Sequence, residues 1–191
     1  MTRDDAWSLL TEYVKSESLL RHCLSVETAM RAYARRNGEP EEDWAIVGLL
    51  HDFDYEIHPT LDHHPQDGAP ILRERGYPEW MIRAILSHAD HLGLPRETQL
   101  ERTLAAVDEL SGFITAVAYV RPSKAVADVT PKSVRKKMKD KAFARAVNRQ
   151  EMLETADALG VDFDEHIAFI VTAMADNAEV LGLAGEGTAS A

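Results

Sequence analysis

The 191-residue chain has a single cysteine, Cys23, which excludes an intramolecular disulfide and fits a reducing compartment. Placed beside Leu24 and Val26, that thiol reads as packing rather than chemistry. No apolar run approaches the roughly 18 residues that a membrane span needs, and the start, MTRDDAW, has no apolar core of a secretory signal. The expectation is a soluble, cytoplasmic protein without a membrane partner. Runs that alternate apolar and polar residues are also missing, so strands are not expected. Nothing resembles an interdomain linker, and 45% hydrophobic residues suffice for one sizeable core. One domain over 1–183 is therefore expected, followed by a small, polar and disordered tail over 184–191, AGEGTASA.

Positive charge is scarce as well. The net charge of −11 argues against nonspecific nucleic-acid binding, since a polyanion is repelled at long range. The scarcity is uneven, however. Residues 121–149 hold ten Lys/Arg against only Asp128 and Asp140, a local charge of +8 that leaves −19 on the rest of the chain.

What is present is helix, giving an all-α fold. Thr2 with Asp5 resembles a capping box for a first helix to about Val14, and Ser16 or Ser18 can cap a second that ends before Gly38. Pro40, Glu41 and Glu42 open a third, where a proline and two acids suit a helix N-terminus. Further helices are expected over 67–75, 78–90, 97–119, 131–139, 142–158 and 163–181. Pro70 would cost about 3 kcal/mol in a helix interior, so the helix carrying it should begin near Asp67 and keep Pro70 in its first turn.

Histidines and aspartates stand out once placed on these helices. His22 shares a face with Leu19, Val26 and Met30, and His88 shares one with Met81, Ala84 and Ile85, so both point inward. His51 and Asp52 close the apolar segment Ile46–Leu50 and can both reach one point beyond its end. Asp108 lies beside the stripe Val107, Leu110, Ile114 and Val117, with small Ala105, Ser111 and Gly112 near it. Burying an ionised carboxylate is costly unless it is paired or coordinates a cation, and no Lys or Arg is placed on these faces. Two imidazoles and two carboxylates suit Mn, Fe, Co, Ni or Zn. The alternative reading makes His22 and His88 hydrogen-bonded core histidines and Asp108 a local cap.

The order of these residues, in LLRHCLSVE, GLLHDFDYE and AVDELSGFI, resembles the HD-domain superfamily of metal-dependent phosphohydrolases. The resemblance covers most of the chain and is closest to small stand-alone members that also carry stretches like RPSK and KSVRKKMKDKAFAR. It implies an HD-type metallohydrolase domain in which His22, His51, Asp52 and Asp108 bind metal. Some members add two histidines and a second ion, with the doublet aspartate as bridge. His64, before Pro65 at an expected helix start, and His88 are the candidates here, and the competing reading is one ion with those two contacting substrate or water. His58, His63 and His91 are expected in solvent, and His166 in a structural role.

A metal centre of this kind lowers the pKa of bound water and neutralises phosphoryl oxygens, which implies hydrolysis of a small phosphorylated molecule such as a nucleotide. Arg121 and Lys124 are candidate contacts for its phosphate, against the alternative of a solvated basic face in which Val134 and Met138 point inward. Members working as dinuclear iron oxygenases or cyclic-dinucleotide phosphodiesterases often continue the doublet as His-Asp-x-Gly-Lys. Here it continues Phe53-Asp54-Tyr55, without that lysine. An iron oxygenase and a non-catalytic protein stapled by its metal are the competing classes. Substrate specificity is expected in loops such as 54–63 and 91–96.

Overall fold

The computed structural model describes residues 1–185. Among the described residues there are ten α-helices, two short 3-10 turns and no strand, only one isolated antiparallel bridge between Ala125 and Ala184. The all-α expectation holds. The expected disordered tail lies outside the described residues except for Ala184, which makes that bridge, and Gly185. No helix among the described residues is long and apolar enough to cross a membrane. The chain divides into two compact units, Met1–Ala105 and Ala106–Ala191, with the boundary inside one helix.

The first unit contains α1 (Arg3–Tyr13), α2 (Glu17–Asn37), α3 (Glu41–Leu50), α4 (Gly68–Glu74), α5 (Glu79–Ser87) and the start of α6 (Gln99–Tyr119). Its helix ends follow the sequence signals closely. Thr2 and Asp5 form the capping box of α1, Ser16 accepts from Leu19 N at the start of α2, and Gly38 ends α2 in the left-handed region at φ 71°. Glu56 reaches back from the segment after α3 and accepts from Lys15 N and Ser16 N, at 2.8 and 2.7 Å, tying that segment to the start of α2.

Helix α3 is the centre of this unit. Every residue from Trp44 to Leu50 is buried, as a helix apolar all round must be, and α1, α2 and α5 pack against it. The contact with α2 is close because Gly48 has no side chain. A Cβ there would stand 2.9 Å from Met30 Cγ and 3.1 Å from the backbone of Glu27. Glu27 itself is buried and takes a two-pronged bond from Arg3, at 2.7 and 2.9 Å, which joins α2 to α1.

The second unit contains the rest of α6, then α7 (Pro131–Met138), α8 (Arg149–Leu159), α9 (Phe163–Ala175) and α10 (Ala178–Leu181). Two expected helices are corrected here. The helix expected over 142–158 begins only at Arg149, because 140–148 is a turn whose polar groups find other partners. Asp140 Oδ1 accepts from Ala142 N and Phe143 N, while the Arg149 guanidinium donates to the carbonyls of Met138, Asp140, Phe143 and Val147. The helix expected over 163–181 breaks at Asp176 and Asn177, where Asn177 Nδ2 donates to Ala173 O and competes with the helical ladder.

The close approach of α2 and α3 yields a prediction. Gly48→Ala should destabilise the protein by about 1–3 kcal/mol, the usual cost of overpacking, because the neighbouring Glu27 atoms are backbone and cannot rotate away. Chemical denaturation measures it; a midpoint equal to the parent's would show that the helices separate freely.

Candidate metal centre

Five of the expected site residues come together inside the first unit. His22 projects from α2; His51 is the C-terminal cap of α3 and Asp52 follows it; His88 is the C-terminal cap of α5; His64 lies in the turns between α3 and α4. The Asp52 carboxylate is their common point. Its Oδ2 lies 3.6 Å from His22 Nε2 and 3.5 Å from His51 Nε2, and its Oδ1 lies 3.2 Å from His64 Nε2 and 3.5 Å from His88 Nε2. The two imidazoles of the first pair face each other at 3.1 Å between Nε2 atoms. One carboxylate thus divides four imidazoles into two groups, one oxygen to each.

The far side of three rings is already engaged, which fixes what the near side offers. His51 Nδ1 donates to Gly48 O at 2.8 Å, and His88 Nδ1 donates to Ile85 O at 2.6 Å. Each acceptor lies three residues back, among the last carbonyls of its helix, which fall outside the i to i+4 ladder; Ile85 O also accepts from His88 N at 3.3 Å. His64 Nδ1 donates to Asp54 Oδ1 at 2.8 Å. With Nδ1 carrying the proton, a neutral ring presents a lone pair at Nε2, the form that binds a metal.

A purely hydrogen-bonded cluster fits these distances poorly. Good N–H···O bonds fall between about 2.7 and 3.2 Å, and only the His64 contact reaches that range. Two ligand atoms each about 2.1 Å from one ion stand about 3.0–3.4 Å apart, close to the separations found here. Asp52, His64 and His88 form a group that could hold a metal ion, and His22 and His51 stand together at the other Asp52 oxygen. Burial alone would push the Asp52 carboxyl up, but the His51 imidazole, His64 and His88 beside its Oδ1 and the nearby His22 hold it well below the usual carboxylate range. For His64, burial works against the charged form, yet Asp52 and Asp54 outweigh it and raise the imidazole to about 9.

The remaining expected residues divide clearly. Asp108 is on α6 in the second unit, three residues past Ala105. Arg121 and Lys124 follow the end of the same helix. Their segment is a turn in which Lys124 N donates to Arg121 O and Lys124 adopts φ 51°. In the basic window Arg135 pairs with Asp164 at 2.6 Å, Lys137 lies over the Phe143 ring, and Arg149 holds the 138–147 carbonyls, so three of its charges serve the second unit's own structure. His63 and His91 are exposed as expected and His58 is half-buried, while His166 is buried and donates from Nε2 to Ala106 O, a structural role. The sequence reading missed Asp54, which it assigned to a specificity loop; the structure buries it completely against His64.

A family model described as the HD domain matches residues 19–112, a span that contains His22, His51, Asp52, His64, His88 and Asp108. The chain carries an HD domain over those residues. No curated protein and no solved structure matches the chain.

The raised His64 pKa yields a second prediction. In the metal-free protein the stabilisation from pairing protonated His64 with its two carboxylates is fully present below its ordinary value of 6.5 and is lost as pH rises through about 9. A metal ion competes for the same nitrogen, so at pH 7.5 uptake of Zn or Mn should release one more proton from the parent than from His64→Ala. A pH indicator in weak buffer reads the difference; equal release by both proteins would remove His64 from the ligand set.

Proposed function

We propose, with the HD domain over residues 19–112 as premise, that the protein is a metal-dependent phosphohydrolase cleaving a phosphate ester of a small molecule, a nucleotide or related phosphoester, by attack of metal-activated water. HD domains are typically enzymes of this kind. The observation that carries the reading is the division of labour at Asp52, whose two oxygens each face a separate pair of imidazole Nε2 atoms. His22, His51 and Asp52 would hold one ion, with Asp108 added by the family pattern. Asp52, His64 and His88 would hold a second, with one Asp52 oxygen offered to each group. The mixed nitrogen and oxygen donors suit Mn, Fe, Co, Ni or Zn.

When bound, such ions supply a water of lowered pKa and positive charge against the oxygens of the phosphoryl group. The chain's own part is positioning. The Nδ1 bonds of His51, His64 and His88 aim each ring and strengthen Nε2 as a ligand. Exposure is graded across the centre, with the His51 side chain fully buried and those of Asp52 and His22 16% and 22% exposed. The side bearing Asp52 and His22 is where a substrate has access. That opening favours a catalytic centre over a closed structural staple, whose ligands would shut solvent out. A dinuclear iron oxygenase would use the same ligand set, and oxygen dependence separates the two.

The decisive experiment is chelation, reloading with Mn, Fe, Co, Ni or Zn singly, and a phosphate-release screen over nucleotides and sugar phosphates. Release should require added metal, proceed at the same rate without oxygen, and vanish in Asp52→Ala together with bound metal. Strict oxygen dependence would move the protein to the oxygenase reading, and a metal-loaded protein inert to every phosphoester would sink the hydrolase.

Arg121 and Lys124, which follow the end of α6, are the proposed contacts for the phosphate. Changing both to Ala should leave metal content intact and lower kcat/KM tenfold or more, the loss expected when charged hydrogen bonds worth about 1.5–3 kcal/mol each are removed. A change within about 0.5 kcal/mol would remove them as phosphate ligands.

A further inference from the structure

We propose that Asp54 is a positioning residue whose carboxylate holds the His64 imidazole with Nε2 toward Asp52, and so decides whether the second ion is retained. The inference rests on the two-ion reading above. Of the three rings engaged through Nδ1, His51 and His88 use backbone carbonyls three residues back at the ends of α3 and α5. Those acceptors come with the helices. His64 lies in a turn segment and has no such carbonyl; its Nδ1 donates to the Asp54 side chain at 2.8 Å.

The surroundings of Asp54 fit this role. The residue is 0% exposed and, among the described residues, its side chain pairs with His64 and not with a Lys or Arg, while its second oxygen, Oδ2, has no hydrogen-bond partner. A carboxylate buried that way is costly unless the one contact it makes is needed. Space has been kept for it by Gly68 at the start of α4, where a Cβ would stand 2.7 Å from both Asp54 Cγ and Oδ2. Hemmed in there, the carboxylate has little freedom to swing away from His64. A carboxylate behind a ligand histidine fixes the ring's tautomer and orientation and makes Nε2 a stronger donor to metal, and losing it typically weakens metal binding by 10–100-fold.

The test is a titration of metal-free protein with Co(II), followed by visible absorption and by metal content after dialysis. The parent should take up two ions in resolvable steps. Asp54→Ala should lose affinity for one ion by about 10–100-fold and leave the other step unchanged. Asp54→Asn, which keeps an oxygen acceptor, should recover much of that loss, whereas Asp54→Leu, of similar size without an acceptor, should not; equal recovery by Asp54→Leu would mark a packing role and overturn the proposal. Gly68→Ala should act in the same direction as Asp54→Ala, through the carboxylate it displaces. Two unchanged steps in Asp54→Ala, or equal weakening of both, would overturn the positioning role while leaving the two-ion centre standing. A parent that binds one ion under the same conditions would instead overturn the two-ion reading, and this inference with it.

Discussion

The structure of the first unit turns on one carboxylate. Asp52 is largely withdrawn from water among four imidazoles, and its charge is tolerated only because those rings favour it over the neutral acid. The same arrangement limits the imidazoles. Four Nε2 atoms converge on two oxygens at distances mostly too long for good hydrogen bonds, so the cluster is poorly satisfied by itself. A cation shared by these groups would satisfy them together, and would account for His51 and Asp52 closing the fully buried segment Trp44–Leu50.

The helices prepare these groups through features that also stabilise the fold. A helix leaves its last carbonyls outside the i to i+4 ladder, and here two of them accept from imidazoles, of His51 at the end of α3 and His88 at the end of α5. Capping the helix and choosing the tautomer are one bond. Gly48 joins this to the packing of α2. Its carbonyl holds His51, and its missing side chain lets α2 lie against α3, which brings His22 to 3.1 Å from His51. A side chain at position 48 would push away the helix that delivers the partner imidazole.

How much of this was legible in the sequence depended on periodicity. His22 and His88 could be read as inward-facing because apolar neighbours three and four residues away marked their faces, and His51-Asp52 because an apolar run stopped there. Asp54 lies in the turns between α3 and α4, where no period links sequence to direction, and its burial depends on Gly68 fourteen residues later. His64 was placed by resemblance for the same reason. The start of α8 was misplaced because FARAV reads as helix until one sees Arg149 occupying the carbonyls of that turn, and α9 ended early because Asn177 competes locally with the ladder. Local propensity does not contain those side chains' choice of partner.

Charge shows the same difference between counting and placing. The basic window has the look of a phosphate-binding surface in composition, yet Arg135, Lys137 and Arg149 are committed to an aspartate, an aromatic ring and a row of carbonyls. The rest of the chain carries the excess of acid. Two divalent ions against the carboxylates of Asp52 and Asp108 would leave the centre net positive, so on the proposed reading substrate attraction and water activation have the same source. On that reading the centre would bind phosphate only when loaded.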